Sequence, residues 1–234
     1  MQKKKCTAIV LAAGQGKRMM SKIQKQYLEL DEKPIVYYSL KVFQESSVID
    51  EIILVVDENQ KEYCKTEIVD KYHFTKVTEL VNGGAERYLS VRMGLQEIGH
   101  DGFVFIHDAA RPFVSEEILQ RAYEAVEECK ACTIGVLSKD TVTVVDPDGY
   151  AKETPNRNYV WIVQTPQVFD VSLIKKAHAK LEEMEKVMKI SVTDDAMVVE
   201  HMLGVRVRLV EGSYENIKIT TPEDLEIANS FLKK

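Results

Sequence analysis

The chain has 234 residues, a net charge of −6 and 45% hydrophobic residues. This length allows one large domain with a substantial core, so we expect a single domain over residues 1–234. The negative charge argues against nucleic acid or an anionic membrane surface as a partner, although a local basic pocket remains compatible with it. No stretch approaches the ~20 apolar residues of a membrane helix, and the short apolar run after Lys3-Lys4-Lys5 lacks the features of a secretion signal.

Cysteine usage predicts a reducing, cytoplasmic setting, because scattered cysteines without a pairing framework are typical of buried thiols. Two of the four have CxxC spacing, but no second pair or histidine cluster accompanies them. Whether that pair has any role stays open. The cysteines are Cys6, Cys64, Cys129 and Cys132.

Runs rich in Val and Ile alternate with amphipathic segments along the chain. This alternation is typical of strands connected by crossover helices, and it indicates an α/β protein. The predicted strands are 6–13, 51–57, 76–81, 102–107 and 132–137, and the predicted helices are 34–45, 59–71, 86–98 and 115–129. A further helix start is predicted at Thr221-Pro222, where a capping residue, a proline and acidic residues follow in order.

The first predicted strand runs into a glycine loop, Gly14-Gln15-Gly16-Lys17-Arg18, and Lys25 follows. Open backbone N–H groups and nearby cations suit a polyphosphate, so this segment predicts a nucleotide site. A P-loop is excluded, because Leu11 and Arg18 stand where it needs glycine and Ser or Thr. A dinucleotide fingerprint fails as well, because Met19 stands at its third glycine. A plain glycine turn with solvated cations is the alternative.

Residues 138–159 break the alternation with a polar segment. Asp146-Pro147-Asp148-Gly149 predicts a turn between two β-prone arms, 141–145 and 150–154. An isolated hairpin is marginally stable, so we expect it to lie against another surface. A solvent-exposed hairpin without a partner is the alternative.

Six motifs in order along the chain resemble the sugar-phosphate nucleotidyltransferases, and within them the 2-C-methyl-D-erythritol 4-phosphate cytidylyltransferase family. The resemblance spans Thr7 to about Ala228. It implies a Rossmann-like, mostly parallel twisted sheet flanked by helices, with 138–159 as a projecting β-hairpin arm that embraces a second subunit of a homodimer. The motifs are LAAGQGKRM, QKQYLEL, HDAARPF, QTPQVF, TDDA and EGSYENIKITTPEDL.

The same resemblance implies transfer of CMP from CTP to the polyol phosphate 2-C-methyl-D-erythritol 4-phosphate, with release of pyrophosphate. The attacking phosphate is already an anion, so the protein must supply alignment and positive charge, not a base. Arg18, Lys25 and Lys218 match the catalytic cations. Asp108, at the end of a predicted strand, matches a ligand of Mg²⁺ or another divalent cation, which takes one or two protein carboxylates; a cap on the following turn is its alternative. His107 is expected to be structural.

Binding residues also follow from the resemblance. Ala85 stands where the family commonly has Asp, and Gln24 where Pro is frequent, so base or ribose recognition near Ala85 stays open. Thr141 and Arg157 would act in the neighbouring subunit's site, and Asp195 is expected to be an acid at a helix start. The CTP-binding residues implied are Ala12, Ala13, Gly14, Gly16, Gly83, Gly84, Ser90 and Ala109. The acceptor-binding residues implied are Arg111, Thr141, Arg157, Thr165 and Thr193, with Lys218 also near the acceptor phosphate.

Three alternatives remain at this point. Ribitol 5-phosphate cytidylyltransferases share much of the motif set, but they usually read HDSVRPF where residues 107–113 of this chain read HDAARPF. A non-catalytic nucleotide-binding protein is opposed by Arg18, Lys25, Asp108 and Lys218. A dinucleotide-dependent oxidoreductase is opposed by the failed fingerprint.

Overall fold

The computed structural model describes residues 3–14, 24–188 and 190–233. The strands are β1 Cys6–Ala12, β2 Glu29–Leu30, β3 Lys33–Pro34, β4 Glu51–Val56, β5 Val77–Asn82, β6 Phe103–Asp108, β7 Ala131–Leu137, β8 Val144–Val145, β9 Ala151–Glu153, β10 Trp161–Asp170 and β11 Arg208–Glu211. The α-helices are α1 Ile35–Glu45, α2 Lys61–Tyr63, α3 Arg87–Glu97, α4 Glu116–Cys129, α5 Val171–Glu185, α6 Asp195–Leu203 and α7 Pro222–Leu232.

Seven strands form the central sheet, in the order β11-β7-β10-β6-β1-β4-β5. Strand β1 pairs in parallel with β4 and β6, β4 pairs in parallel with β5, and β11 pairs in parallel with β7. Strand β10 is antiparallel to both of its neighbours, β6 and β7. The prediction of a mostly parallel α/β sheet is therefore confirmed.

Both faces of the sheet are covered, which explains why β1 and β4 are almost continuous runs of apolar residues. On one face, α1 and α4 pack against the sheet through residues such as Phe43 and Leu119. On the other, α3, α5 and α6 contribute Val91, Ile174 and Val198. Since the faces are closed, a ligand can approach the sheet only at its edges.

The five predicted strands are confirmed to within one or two residues, and so are the helices near 34–45, 86–98 and 115–129. The helix predicted at 59–71 is wrong as a single α-helix. It consists of a 3-10 turn at Glu58–Gln60, α2, and a π-helix at Cys64–Asp70. The 3-10 turn forms because the Asp57 carboxylate accepts a hydrogen bond from the backbone N–H of Asn59.

The segment 138–159 contains the predicted hairpin, with β8 and β9 antiparallel. Asp146 closes its turn by accepting hydrogen bonds from the N–H groups of Asp148 and Tyr150, and Gly149 has φ of +88°. The paired strands are only two and three residues long, shorter than the predicted arms.

Within the described ranges, no helix is long and apolar enough to cross a membrane.

Candidate active site

A cavity of about 680 Å³ opens at the carboxyl ends of the parallel strands. This is the edge at which open α/β sheets bind ligands, because loops and helix starts converge there. Gly14 follows β1, Asp57 follows β4, Gly83 follows β5, and Asp108 ends β6. The described residues that line the cavity are Leu11, Ala13, Gly14, Lys25, Gln26, Asp57, Glu58, Asn59, Gly83, Gly84, Ala85, Glu86, Arg87, Ser90, Asp108, Ala110 and Lys218.

Asp108 lies between two cations. Its Oδ1 accepts a hydrogen bond from Arg87 Nε at 2.9 Å, and its Oδ2 accepts one from Lys218 Nζ at 2.6 Å. Burial by itself would raise the pKa of Asp108, but the charges of Arg87 and Lys218 outweigh burial and hold that pKa far below its usual range. The carboxylate therefore stays ionised at any physiological pH.

The Arg87 guanidinium also forms an ion pair with a second carboxylate, that of Asp195. Its Nη1 donates to Asp195 Oδ2 at 2.7 Å, and the Asp195 side chain is fully buried. Gln167 fixes the start of α6, since its Oε1 accepts from the N–H groups of Asp195 and Ala196, and its Nε2 donates to Asp194. The expectation that Asp195 is an acid at a helix start is confirmed, and its side chain has in addition a long-range ion pair.

His107 and Thr165 support Asp108 from the opposite side. The backbone N–H of Asp108 donates to Thr165 Oγ1 at 3.1 Å, and Thr165 Oγ1 lies 3.1 Å from His107 Nδ1. Because His107 Nε2 lies 3.1 Å from the Arg111 carbonyl, the consistent arrangement has Nε2 donating and Nδ1 accepting from Thr165. Burial lowers the pKa of His107 to about 4 and keeps the ring neutral. His107 is thus structural, as expected.

The loop after β5 brings its backbone close to β1. A Cβ at Gly83 would overlap the Cβ of Ala13, and one at Gly84 would overlap Leu89. Ser90 Oγ accepts from the N–H of Gly84 at 3.0 Å, which fixes the loop against α3. Only glycine allows this approach, and the result is a wall of small residues suited to a flat base or a ribose.

Lys25 reaches the cavity from a 3-10 turn, Lys25–Tyr27, and its Nζ donates to the Ile219 carbonyl at 3.1 Å. The turn is anchored by the buried Gln26, whose Nε2 donates to the Ala12 carbonyl and to Gln24 Oε1. Gln24 in turn donates to Asp57 at 3.3 Å. Gln24 therefore supplies side-chain contacts that a proline at this position would lack.

Most of the predicted nucleotide-side residues meet at this cavity. Those that line it are Ala13, Gly14, Lys25, Gly83, Gly84, Ser90, Asp108 and Lys218. Ala12 and Ala109 are buried beside it, and the Ala109 N–H donates to the Leu11 carbonyl, so Ala110 lines the cavity in its place. Gly16 and Arg18 lie outside the described residues.

The predicted acceptor-side residues are more scattered. Arg111 is committed to two backbone carbonyls, those of Asn216 at 2.7 Å and Val163 at 3.4 Å. The Thr193 side chain is exposed, and its hydroxyl donates to Met197 Sδ at 3.3 Å. Thr141 and Arg157 are exposed on the hairpin segment and do not line the cavity of their own chain. Their roles stay predictions.

Arg87 is a cavity residue that the sequence analysis did not single out. The signal that could have pointed to it was its place at the start of α3, three residues after the glycine pair. Its two carboxylate partners lie 21 and 108 residues further along the chain. No local pattern reports a contact of that kind.

The fit of this site to a divalent cation depends on a single carboxylate. Among the described residues, no group of three or more His, Cys, Asp or Glu side chains is arranged to hold a metal ion. Asp108 offers one cavity-facing carboxylate, which is what Mg²⁺ requires when phosphates and water supply its remaining ligands. Such binding needs Lys218 to release Oδ2 of Asp108.

Comparison with known proteins gives a consistent result over the whole chain. The family model IspD, 2-C-methyl-D-erythritol 4-phosphate cytidylyltransferase, matches residues 6–234. The 2-C-methyl-D-erythritol 4-phosphate cytidylyltransferase of Lachnospira eligens is 50% identical over 97% of this chain and 99% of its own length. That of Lachnoclostridium phytofermentans is 49% identical over 98% of this chain and 97% of its own length.

Solved structures agree with the sequence comparison. The crystal structure of 4-diphosphocytidyl-2C-methyl-D-erythritol synthase from Anaerococcus prevotii superimposes with a TM-score of 0.85 at 35% identity, covering 100% of both chains. The 2-C-methyl-D-erythritol 4-phosphate cytidylyltransferase of Francisella tularensis gives a TM-score of 0.79 at 33% identity, over 97% of this chain and 99% of that one. The chain therefore belongs to the 2-C-methyl-D-erythritol 4-phosphate cytidylyltransferase family.

Proposed function

We propose that this protein transfers CMP from CTP to 2-C-methyl-D-erythritol 4-phosphate, forming 4-diphosphocytidyl-2-C-methyl-D-erythritol and pyrophosphate for isoprenoid biosynthesis. The observation that carries the proposal is the cavity in which Arg87 and Lys218 pair with Asp108, and which Lys25 and a glycine-walled loop also line. Membership of the family supports the identity of both substrates.

In this reaction an oxygen of the acceptor phosphate attacks the α-phosphorus of CTP. The new P–O bond forms as the bond to the bridging oxygen breaks, and that electron pair leaves with pyrophosphate. Both reactants are anions, so the main work of the protein is to hold repelling groups in line and to neutralise the charge that develops. No proton has to be removed from the attacking phosphate.

Lys25 and Lys218 supply that positive charge in the proposal, together with Arg18. Lys25 reaches the cavity from the 3-10 turn that follows β1, and Lys218 reaches it from the segment before α7. In the proposal these cations flank the phosphates from two directions. A charge fixed in advance stabilises the transition state without reorganisation at the moment of reaction. The glycines of residues 83–84, with Ser90, would hold the nucleoside.

Mg²⁺, or another divalent cation, is part of the proposal. Asp108 would hold it, and the ion would offset the phosphate charge when bound. Because Lys218 now occupies Oδ2 of Asp108, ligand binding would have to draw Lys218 toward a phosphate before Oδ2 becomes available. Arg87 keeps Oδ1 occupied throughout.

The acceptor half of the site would be completed by a second copy of the chain. In this proposal residues 1–234 form one nucleotidyltransferase domain, and residues 138–159 are its dimerisation arm. Exposed apolar side chains on the arm, Val144, Val145 and Tyr150, support an occupied surface there. Thr141 and Arg157 of one protomer would then reach the acceptor phosphate in its partner, together with Arg111, Thr165 and Thr193.

Four free cysteines support a cytoplasmic setting.

A substrate panel tests the function. Purified protein is incubated with CTP and Mg²⁺ against 2-C-methyl-D-erythritol 4-phosphate, ribitol 5-phosphate and several sugar phosphates, and pyrophosphate release is measured. We expect turnover with the methylerythritol phosphate and little with the others. Preference for ribitol 5-phosphate would mean that the acceptor in the proposal is wrong. If no acceptor leads to pyrophosphate release, the whole proposal is overturned.

A further inference from the structure

Arg87 differs from the other cations of the cavity because it joins two carboxylates from separate elements. Its guanidinium contacts Asp108 at the end of β6 and Asp195 at the start of α6, at 2.9 and 2.7 Å. The side chain is 27% exposed, Asp108 is 10% exposed and Asp195 is not exposed at all. A planar guanidinium can bridge two carboxylates in fixed directions, which an ammonium group cannot do.

The two cations on Asp108 are not equivalent. Lys218 has the more exposed side chain, at 35%, and it sits on a flexible stem. Arg87 is anchored from behind by Asp195, whose backbone is fixed to β10 through Gln167. A phosphate entering the cavity can therefore compete for Lys218, while Arg87 stays where it is.

The same ion pair connects the two sides of the site. Arg87 begins α3 three residues after the nucleotide-side glycines at 83–84, and Asp195 begins α6 two residues after Thr193, on the acceptor side. Asp108 lies between them. A shift of either helix start would be transmitted to Asp108 through the guanidinium.

We propose that Arg87 and Asp195 act as a positioning pair for the chemical step, in which Asp195 fixes the Arg87 guanidinium and Arg87 fixes Asp108 as Lys218 turns to the substrate phosphates. This inference rests on the proposed function. It assigns the pair to alignment in the transition state and not to holding CTP. The pair should therefore affect kcat much more than nucleotide affinity.

Two single variants and their combination test the pair. Arg87→Lys keeps the positive charge but can form a good ion pair with only one of the two carboxylates. Asp195→Asn keeps the shape of the side chain but removes the negative charge that pairs with Arg87. Misalignment of about an ångström at reacting groups costs up to about a hundredfold in rate, so we expect kcat to fall by about tenfold or more in each variant. Neither variant lowers the positive charge of the cavity, so the dissociation constant for CTP, measured by calorimetry without acceptor, should change by less than about threefold.

The combined variant Arg87→Lys/Asp195→Asn examines whether the residues act as one unit. Residues that act through each other are not additive, so the combination should lose no more of kcat than the more affected single variant. Independent losses that multiply in the combination would contradict the proposal.

A matched pair on the same helix provides the control. Arg92 on α3 pairs with Glu185 on α5 at 2.9 Å, both side chains are partly buried, and neither residue lines the cavity. Arg92→Lys and Glu185→Gln should lower the melting temperature to an extent comparable with the Arg87 and Asp195 variants, and leave kcat unchanged. Equal kcat losses in both pairs would show a merely structural role and overturn the inference.

The outcomes separate this inference from the proposed function. Wild-type protein without turnover on any acceptor would overturn both. Active wild-type protein with unaltered kcat in Arg87→Lys and Asp195→Asn, or with CTP affinity falling in step with kcat, would overturn only the positioning pair.

Discussion

The cavity edge and the hairpin segment 138–159 differ in how completely one chain builds them. At the cavity, the Asp108 side chain is 10% exposed and both of its oxygens accept hydrogen bonds from cations that other elements hold in place. On the hairpin segment, Val145 is 55% exposed and Tyr159 is 83% exposed. The cavity is preorganised by packing, whereas the hairpin segment, which we propose to form the other half of a site shared between two chains, presents surface that its own chain does not cover.

The base of the hairpin shows where this difference begins. Lys139 Nζ lies 3.7 Å from the centre of the Tyr214 ring, and Tyr214 donates to the Leu137 carbonyl, so the point at which the segment leaves the sheet is fixed. Further out, the paired strands β8 and β9 are exposed at every residue. A hairpin of this size gains little stability from its own contacts. The difference is what the proposed dimer would explain, since a second copy of the chain would cover the exposed hairpin segment.

The largest expected effect comes from the preorganised half. Lys25→Ala should lower kcat by about a hundredfold, because removing a charge aimed at the transition state costs on the order of 3 kcal/mol. Arg18→Ala is expected to act similarly. Steady-state kinetics with both substrates check this, with Lys71→Ala as the control, since Lys71 is an exposed lysine that does not line the cavity and pairs with Glu67 four residues away. Near-native turnover in Lys25→Ala would remove Lys25 from the catalytic residues.

The cavity also shows how far the sequence can predict a site. Strands β1 and β6 are continuous apolar runs, so their ends, and with them Gly14 and Asp108, could be placed in advance. Strand β10 could not, because Gln164, Thr165 and Gln167 are buried polar residues that interrupt the apolar pattern. Their hydrogen bonds to distant segments are satisfied only in the folded chain, and local periodicity does not report them.

The ion pairs of Arg87 mark the same limit. A residue's helix position follows from nearby capping and periodicity, which is why the start of α3 was predicted to within one residue. Its partners at positions 108 and 195 depend on sheet order, and in particular on β10 lying between β6 and β7. The roles proposed for Thr141 and Arg157, which would depend on a second chain, are further still from what a single sequence pattern contains.

A smaller effect is expected on the stability of the folded chain at acidic pH, and it arises from buried histidines and not from the hairpin segment. Burial lowers the pKa values of His107 and His178 to about 4, whereas an unfolded histidine titrates near 6.5. Between those values the unfolded chain binds more protons than the folded one, so stability falls as pH decreases from about 6.5 towards 4. At pH 5.5 the two groups together should cost roughly 2.5 kcal/mol relative to pH 7.5.

Urea unfolding at the two pH values measures this cost. The hairpin segment 138–159 contains no histidine, so acid should not act on it through this mechanism. His178→Gln should reduce the pH dependence, since His178 lies on α5 and does not line the cavity. An unfolding free energy that is unchanged between pH 7.5 and 5.5 would contradict the neutral, buried state of both rings.

A still smaller effect is expected for Asp108→Asn. The amide keeps the shape but loses the charge, so the Mg²⁺ concentration for half-maximal activity should rise by about tenfold. The protein should remain folded, because Arg87 keeps its ion pair with Asp195. A magnesium titration together with a thermal melt distinguishes the two effects. An unaltered titration would mean that Asp108 only orders Arg87 and Lys218, and that the metal is held by other groups.

The smallest expected signal is recovery of activity in mixed dimers, and it tests most directly whether the hairpin segment 138–159 acts in a neighbouring site. If the hairpin segment completes the neighbouring site, Lys25→Ala and Arg157→Ala lie in the same site only when they are on different chains. A mixed dimer of the two variants then has one site with both lesions and one with neither. Random exchange gives about one half mixed dimers, so about one quarter of wild-type activity should return.

The experiment mixes the two variant proteins, each carrying a different tag, under conditions that allow subunit exchange. Copurification of both tags shows that mixed dimers form, and each variant incubated alone provides the baseline. Recovered activity would show that Arg157, exposed and outside the cavity of its own chain, acts across an interface. Mixed dimers without recovered activity would show that Arg157 serves its own subunit. The exposed hairpin would then need another explanation, and the division between a half built by one chain and a half built by two would not hold.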